Sequence, residues 1–284
     1  MVKLSTLAIF LVTFVCSAQT LKLPPRPAKA PEGKELVKAM TPLTLADREE
    51  YIFQQVTNGN LPGFLRKLVV LTNSATINGS NHTVRFYVAP DYFALGSDAD
   101  YLLTPMTPML AQRVATFLDC SLATRKISND IWKAANVKMT PTPIPPTAKM
   151  ITVPIFDEHN QIVRTQRLAQ VAAHPLGDLV AGDKKDIVIS TSIYTNLHTR
   201  ASTPVVIYGW HKADGKAIQP LYNGHAQTWA DYSHGVRLVQ QAALLDGKST
   251  TVSSILTNAD CAALLSDETN FPGNAIPKPY YPTH

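Results

Sequence analysis

Three dipeptides limit what this chain can fold into. Asn78-Gly79, Asp214-Gly215 and Asp246-Gly247 each stand between runs rich in β-branched and aromatic residues. A pair of this kind closes a tight hairpin, because Asn, Asp and Gly tolerate positive φ. Antiparallel strands are therefore expected. The candidate runs are 67–77 and 83–89 on either side of the first dipeptide, then 186–194, 204–211, 217–221, 228–239 and 248–256.

Helix signals fall between and before these runs. Thr44 followed by Asp47 caps one helix, and Thr107-Pro108 opens another whose apolar face is Leu110, Val114, Phe117 and Leu118. Thr124 caps a third bearing Ile127, Ile131, Ala134 and Ala135, residues 156–171 read as a fourth, and Asn258 precedes a short last one over 259–265. Five prolines between 137 and 154 keep that segment irregular and on the surface. The order predicts an α+β fold: N-terminal helices and a β-hairpin, then an antiparallel β-meander, around one core. Along the chain this gives a Pro-rich extended leader at 19–43, a single α+β domain at 44–266 and a Pro-rich C-terminal tail at 267–284.

Residues 1–18 have the form of a cleavable secretory signal: Lys3, an apolar run over 4–15, then Cys16-Ser17-Ala18. A secreted or periplasmic location follows. No later stretch is long and apolar enough for a membrane helix. With 45% apolar and 17% charged residues the remainder suits a packed globule. Its formal charge is +4 once Lys3 is removed, and Lys and Arg form no runs, so nucleic acid is not an expected partner. The mild basicity suits an anionic cell-wall peptide or polysaccharide. Cys120 and Cys261 survive processing and in an oxidising compartment are most simply a disulfide.

Chemistry concentrates between Tyr208 and Arg237. This stretch holds His211, His225 and His234 of eight histidines, Trp210 and Trp229 of three tryptophans, Tyr208, Tyr222, Tyr232 and Asp231. A purely core-filling segment would favour Leu, Val and Ile over groups that move protons. If 204–211 and 228–239 are neighbouring strands, alternation turns His211 and His234 into one cleft, with Tyr208 or Tyr232 at its wall. A neutral imidazole there is a proton shuttle. Lys185 and Arg237 are candidate holders of a substrate carboxylate, and Trp210 and Tyr232 candidate contacts. Spacing is poor for zinc, since Asp231-x-x-His234 is the only close pair, and no metal or cofactor is expected. A single histidine of this set is as readily a core residue bonded to a carbonyl.

Asp119-Cys120-Ser121 just ahead of a helix suggests a second chemistry, because a helix N-terminus favours thiolate. Together with Gly177-Asp178-Leu179-Val180 and Val205-Val206-Ile207-Tyr208-Gly209, this triplet resembles the pattern of secreted cell-wall cysteine peptidases of the NlpC type. The resemblance implies a papain-like fold and cleavage of wall stem peptides. Leu122 stands where that pattern has Gly, and Thr203-Pro204 where its base histidine precedes the strand, so the base falls to His211 or His234. The expected function is then a secreted cell-envelope hydrolase of a peptide or amide bond, with Cys120 as nucleophile, His234 or His211 as base and Asp231 orienting it. Two rivals remain: a glycan hydrolase or lyase using Tyr208, His211, Tyr232 and His234, and a non-catalytic carbohydrate-binding module stacking sugars on Trp210, Trp229 and Tyr232.

Overall fold

The computed structural model describes residues 19–195 and 197–282, so the predicted signal segment 1–18 lies outside the described residues. Antiparallel hairpins form at all three dipeptides. Val69–Ile77 pairs with Ser80–Val88, Pro204–His211 with Ala217–Ala226, and Ala242–Leu245 with Lys248–Thr251. Asn78 and Gly79 have φ of 50° and 80°, Asp246 and Gly247 49° and 78°. Positive φ at both central residues is what a two-residue hairpin matching the strand twist requires.

The first and third hairpins share a six-stranded sheet. Its spatial order is Lys248–Thr251, Ala242–Leu245, Ser80–Val88, Leu238–Gln240 and Cys120–Leu122, with Val69–Ile77 also on Ser80–Val88. A four-stranded sheet runs Ala217–Ala226, Pro204–His211, Lys185–Ile187 and His234–Gly235, the last pair parallel. Only Val236 and Arg237 separate His234–Gly235 in the second sheet from Leu238–Gln240 in the first. The two sheets are thus joined through the stretch richest in chemistry, and the fold is α+β.

Helices cover these sheets through their apolar stripes. Pro108–Phe117 buries Leu110, Ala111 and Val114, and its cap Thr107 accepts from Leu110 N at 3.3 Å. Arg125–Ala134 buries Ile127 and Ile131, one turn apart, with Thr124 accepting from Ile127 N at 3.1 Å. The 16-residue helix Val153–Leu168 buries Phe156, His159, Asn160, Val163 and Arg167, a stripe spaced for one face but strongly polar.

Five local expectations change. The leader is not wholly extended: Glu32 and Glu35 form a capping box and Gly33–Met40 is helical, burying Leu36 and Met40. Residues 228–239 are not one strand, because the Asp231 carboxylate accepts from Ser233 N at 2.8 Å and folds the backbone into an Asx turn. Likewise Ser190 accepts from Ser192 N, so of the 186–194 run only Asp186 and Ile187 are strand, within Lys185–Ile187, and Thr251 caps a helix, Val252–Thr257, in place of a longer strand. The C-terminal segment is packed, with Tyr281 fully buried and its hydroxyl accepting from Val206 N at 2.9 Å. Among the described residues no helix is long and apolar enough to cross a membrane.

Candidate functional site

Register places the site residues. His234, Lys185 and Gly209 are cross-strand neighbours in one row, and Gly235, Asp186 and Tyr208 in the next. His234 and Lys185 therefore share one face of the sheet, Asp186 and Tyr208 the other. Alternation breaks at Gly209 and Trp210, whose φ values are 103° and 55°. Past this kink the Trp210 ring meets His159 and Tyr232, at 5.7 and 6.3 Å between centroids, whereas His211 returns to Tyr208 at 5.7 Å. Strict alternation puts Tyr208 and Trp210 on one face and His211 on the other, but Tyr208 and Trp210 lie apart and His211 shares Tyr208's side. No interaction among the described residues joins His211 to His234, so they do not form one cleft.

Asp231 and His234 make the densest polar cluster. The Asx turn brings His234 Nε2 to 3.6 Å from Asp231 Oδ2, with both side chains buried. Asp231 Oδ2 also accepts from Trp229 Nε1 at 3.1 Å, and Oδ1 accepts from the Ser233 amide and hydroxyl. Burial pushes the Asp231 pKa up, yet His234, the Ser233 donors and Lys185 outweigh it and hold the carboxyl well below its ordinary value. Burial brings His234 down to about 4 against the pull of Asp231. At neutral pH the pair is a carboxylate beside a neutral imidazole. Neither His234 nitrogen has a hydrogen-bond partner among the described residues, and Trp210 Nε1 has none either. Buried polar groups are nearly always paired, so the unpaired His234 and Trp210 nitrogens set this cluster apart from an ordinary core.

The solvent side of this cluster is aromatic and basic. Half-buried His225 and Trp229 stack at 4.7 Å and 13°, and exposed Tyr222 meets His225 edge-on at 5.3 Å. Lys185, also half-buried, puts its ammonium 5.6 Å from the Trp210 ring and interacts electrostatically with Asp231. Tyr232 takes a different role from the expected one. It is buried, and its hydroxyl both accepts from Ile144 N at 2.8 Å and donates to Ile144 O at 3.0 Å. A phenol thus pins the Pro-rich segment across the cluster as a strand neighbour would.

Beneath lies a pair that sequence reading passed over. Lys184 is fully buried, and its ammonium bonds Tyr232 O at 2.6 Å and His159 Nδ1 at 3.0 Å. Burial lowers Lys184 to about 8, against the attraction of Asp183, Asp231 and Asp91, and lowers His159 strongly. The available signal was His159-Asn160 on the buried stripe of an otherwise amphipathic helix. Lys184 stands just ahead of the strand Lys185–Ile187 and is buried, while its neighbour Lys185 stays half-buried.

Arg237 is not at a substrate surface. It is fully buried, donates to Ala89 O at 3.1 Å and Val180 O at 2.9 Å, and lies 4.1 Å from the centre of the Tyr92 ring. Three buried acids surround this region. Burial lifts Asp183 to about 8, with Asp91 adding to the rise, and lifts Asp186 to about 6 against Arg237 and the Tyr92 hydroxyl at 2.9 Å. Asp91 is raised by burial as well. Arg237 therefore serves as their internal counter-charge.

Cys120 is likewise displaced from its expected role. It lies in the strand Cys120–Leu122, not at a helix start, with its thiol directed to Leu118 O at 3.4 Å and Gln240 Oε1 at 3.9 Å. Burial, reinforced by Asp119, pushes the thiol pKa up, away from thiolate. The pocket of about 290 Å³ that it borders is lined by Gln112, Asp119, Ser121, Gln241 and Ser253 among others, with no histidine among the described residues. The disulfide is not formed either: Cys120 and Cys261 are separate buried thiols, the latter directed to Ile255 O. No group of three or more His, Cys, Asp or Glu side chains among the described residues is arranged to hold a metal ion. No known protein family, curated protein or solved structure matches this chain.

Proposed function

We infer that this chain is a secreted enzyme of the cell envelope that breaks a polysaccharide by hydrolysis or elimination, with Asp231 and His234 moving the proton. The observation that carries this reading is a buried Asp–His pair whose imidazole nitrogens lack partners, set beneath an aromatic rim. His234 is neutral at physiological pH and so able to accept a proton, from an attacking water or from the carbon beside a sugar carboxylate. Asp231, 3.6 Å away, stabilises the imidazolium that results. Lys185 supplies positive charge for a carboxylate or a leaving oxygen, while Trp229 and His225 offer flat faces to a sugar ring. A Cys–His attack on a peptide bond finds no base among the described residues, none of which is a histidine lining the pocket beside Cys120.

The test is product release from wall polysaccharides by the chain and by its Asp231→Asn and His234→Asn variants, with folding checked by circular dichroism. Loss of about 100-fold or more in both variants supports general acid–base work. Release that both variants retain removes the pair from the mechanism, and a chain that binds polysaccharide but releases nothing is a binding module.

A further inference from the structure

The opposite face of the Lys185–Ile187 and Pro204–His211 strands carries a second polar constellation. Asn129, from the helix Arg125–Ala134, accepts through one atom from two donors. Its Oδ1 lies 2.9 Å from the Tyr208 hydroxyl and 2.9 Å from His211 Nε2. Burial keeps His211 neutral, lowering its pKa to about 4. With its Nε2 proton donated to Asn129, Nδ1 is left as an acceptor. Asn129, held by two bonds to one oxygen, keeps both Nδ2 protons for another partner.

The walls of this site are built. Trp132 stacks face to face on His211 at 5.5 Å and 14°, fixing the imidazole plane. Gly209 admits the remaining neighbour: a Cβ there would lie 3.2 Å from Asp186 Oδ2 and 3.4 Å from His211 Cε1. Asp186 is buried, its Oδ2 accepts from Tyr92, and the buried Ser128 hydroxyl also interacts with its carboxylate. Tyr208 and Asn129 are half-buried, so the constellation meets solvent through them.

We propose that Asn129, Tyr208 and His211 form a binding site for a secondary amide, separate from the Asp231–His234 pair. An amide presents one acceptor and one donor side by side. Its carbonyl oxygen accepts a hydrogen bond from Asn129 Nδ2, and its N–H points to the acceptor side made by the Tyr208 oxygen and His211 Nδ1. A carboxylate ligand is disfavoured, because Asp186 adds negative charge at the same place. Two wall components carry such a group: the acetamido substituent of an amino sugar and the backbone of a stem peptide.

Two probes separate these sources, N-acetylglucosamine and N-acetylalanine methylamide, with glucose and glucuronate as controls lacking the amide. Binding is followed by chemical-shift changes at the Asn129 side-chain amide and the Trp132 indole. One or both amides shift these signals in the wild type, while glucose and glucuronate do not. Asn129→Asp keeps size and removes the donor, and weakens binding about tenfold; Tyr208→Phe weakens it severalfold. His234→Asn leaves it unchanged, which separates this site from the catalytic reading. The proposal is overturned if neither amide binds, if the controls bind equally well, if Asn129→Asp binds as the wild type does, or if His234→Asn abolishes binding.

Discussion

Arg237→Met tests the buried charge balance on which the site rests. Methionine keeps an unbranched apolar stem against Tyr92 and removes only the guanidinium. Ala89 O and Val180 O then lose donors at 3.1 and 2.9 Å, and each buried carbonyl left unpaired costs about 1–3 kcal/mol. The electrostatic part is capped by protonation. Asp186, already lifted to about 6, rises further without Arg237 and takes up a proton in the folded state. In the wild type a raised carboxyl of this kind lowers stability as pH climbs from the ordinary carboxylate range to about 6 and adds nothing beyond. In the variant that decline continues, at about 1.4 kcal/mol per pH unit for each carboxyl held protonated. The expected loss is about 3–7 kcal/mol at pH 7, smaller at pH 6 and larger at pH 8. Urea unfolding followed by tryptophan fluorescence at the three pH values measures it. A variant within about 1 kcal/mol of the wild type, or a penalty that does not grow with pH, refutes the reasoning.

Other outcomes follow from the same geometry. His234 in the fold sits at about 4, below its ordinary 6.5, so the unfolded chain binds more protons between these values and stability falls as pH drops through that window. His234→Gln therefore gains about 2 kcal/mol on the wild type between pH 7 and pH 5, read as the difference of two urea titrations. Tyr232→Phe removes both bonds to Ile144, costs about 1–2 kcal/mol, and speeds amide hydrogen exchange in residues 141–152 more than elsewhere. In a chain starting at Gln19, thiol titration without reductant finds slow reaction in the native state and two thiols after denaturation. A native chain with no thiols even when denatured contradicts the separation of Cys120 from Cys261.

The hairpins were legible because their turns are local: Asn78-Gly79 and Asp246-Gly247 need positive φ, and the residue types say so. Helix starts at Thr107 and Thr124 were legible for the same reason. What misled was the treatment of 228–239 as a strand. Its β-rich composition hides a single side chain, Asp231, that bonds Ser233 N and ends the strand. With the turn in place, Asp231 meets His234, and Tyr232 turns away to hold Ile144. The strand 204–211 was placed correctly, yet its two faces were not, because a kink at Trp210 in a non-glycine residue leaves no mark in composition. Arg237, Lys184 and the three buried acids were unreadable for a further reason. Charged residues are expected outside, and only a three-dimensional set of counter-charges brings them in. Cys120 next to a helix-forming segment suggested a thiolate, but Cys120 itself lies in a strand and residues 121–124 separate it from that helix.

The measurement that bears most directly on Asp231 and His234 is a side-by-side assay of wild type and His234→Asn on a panel of acidic and neutral wall polysaccharides. Reducing ends report hydrolysis, and ultraviolet absorbance of unsaturated ends reports elimination. One of these products accumulates with the wild type and falls about 100-fold or more with His234→Asn, whose fold is intact. Equal product from both proteins, or none from the wild type on any member of the panel, contradicts the assignment.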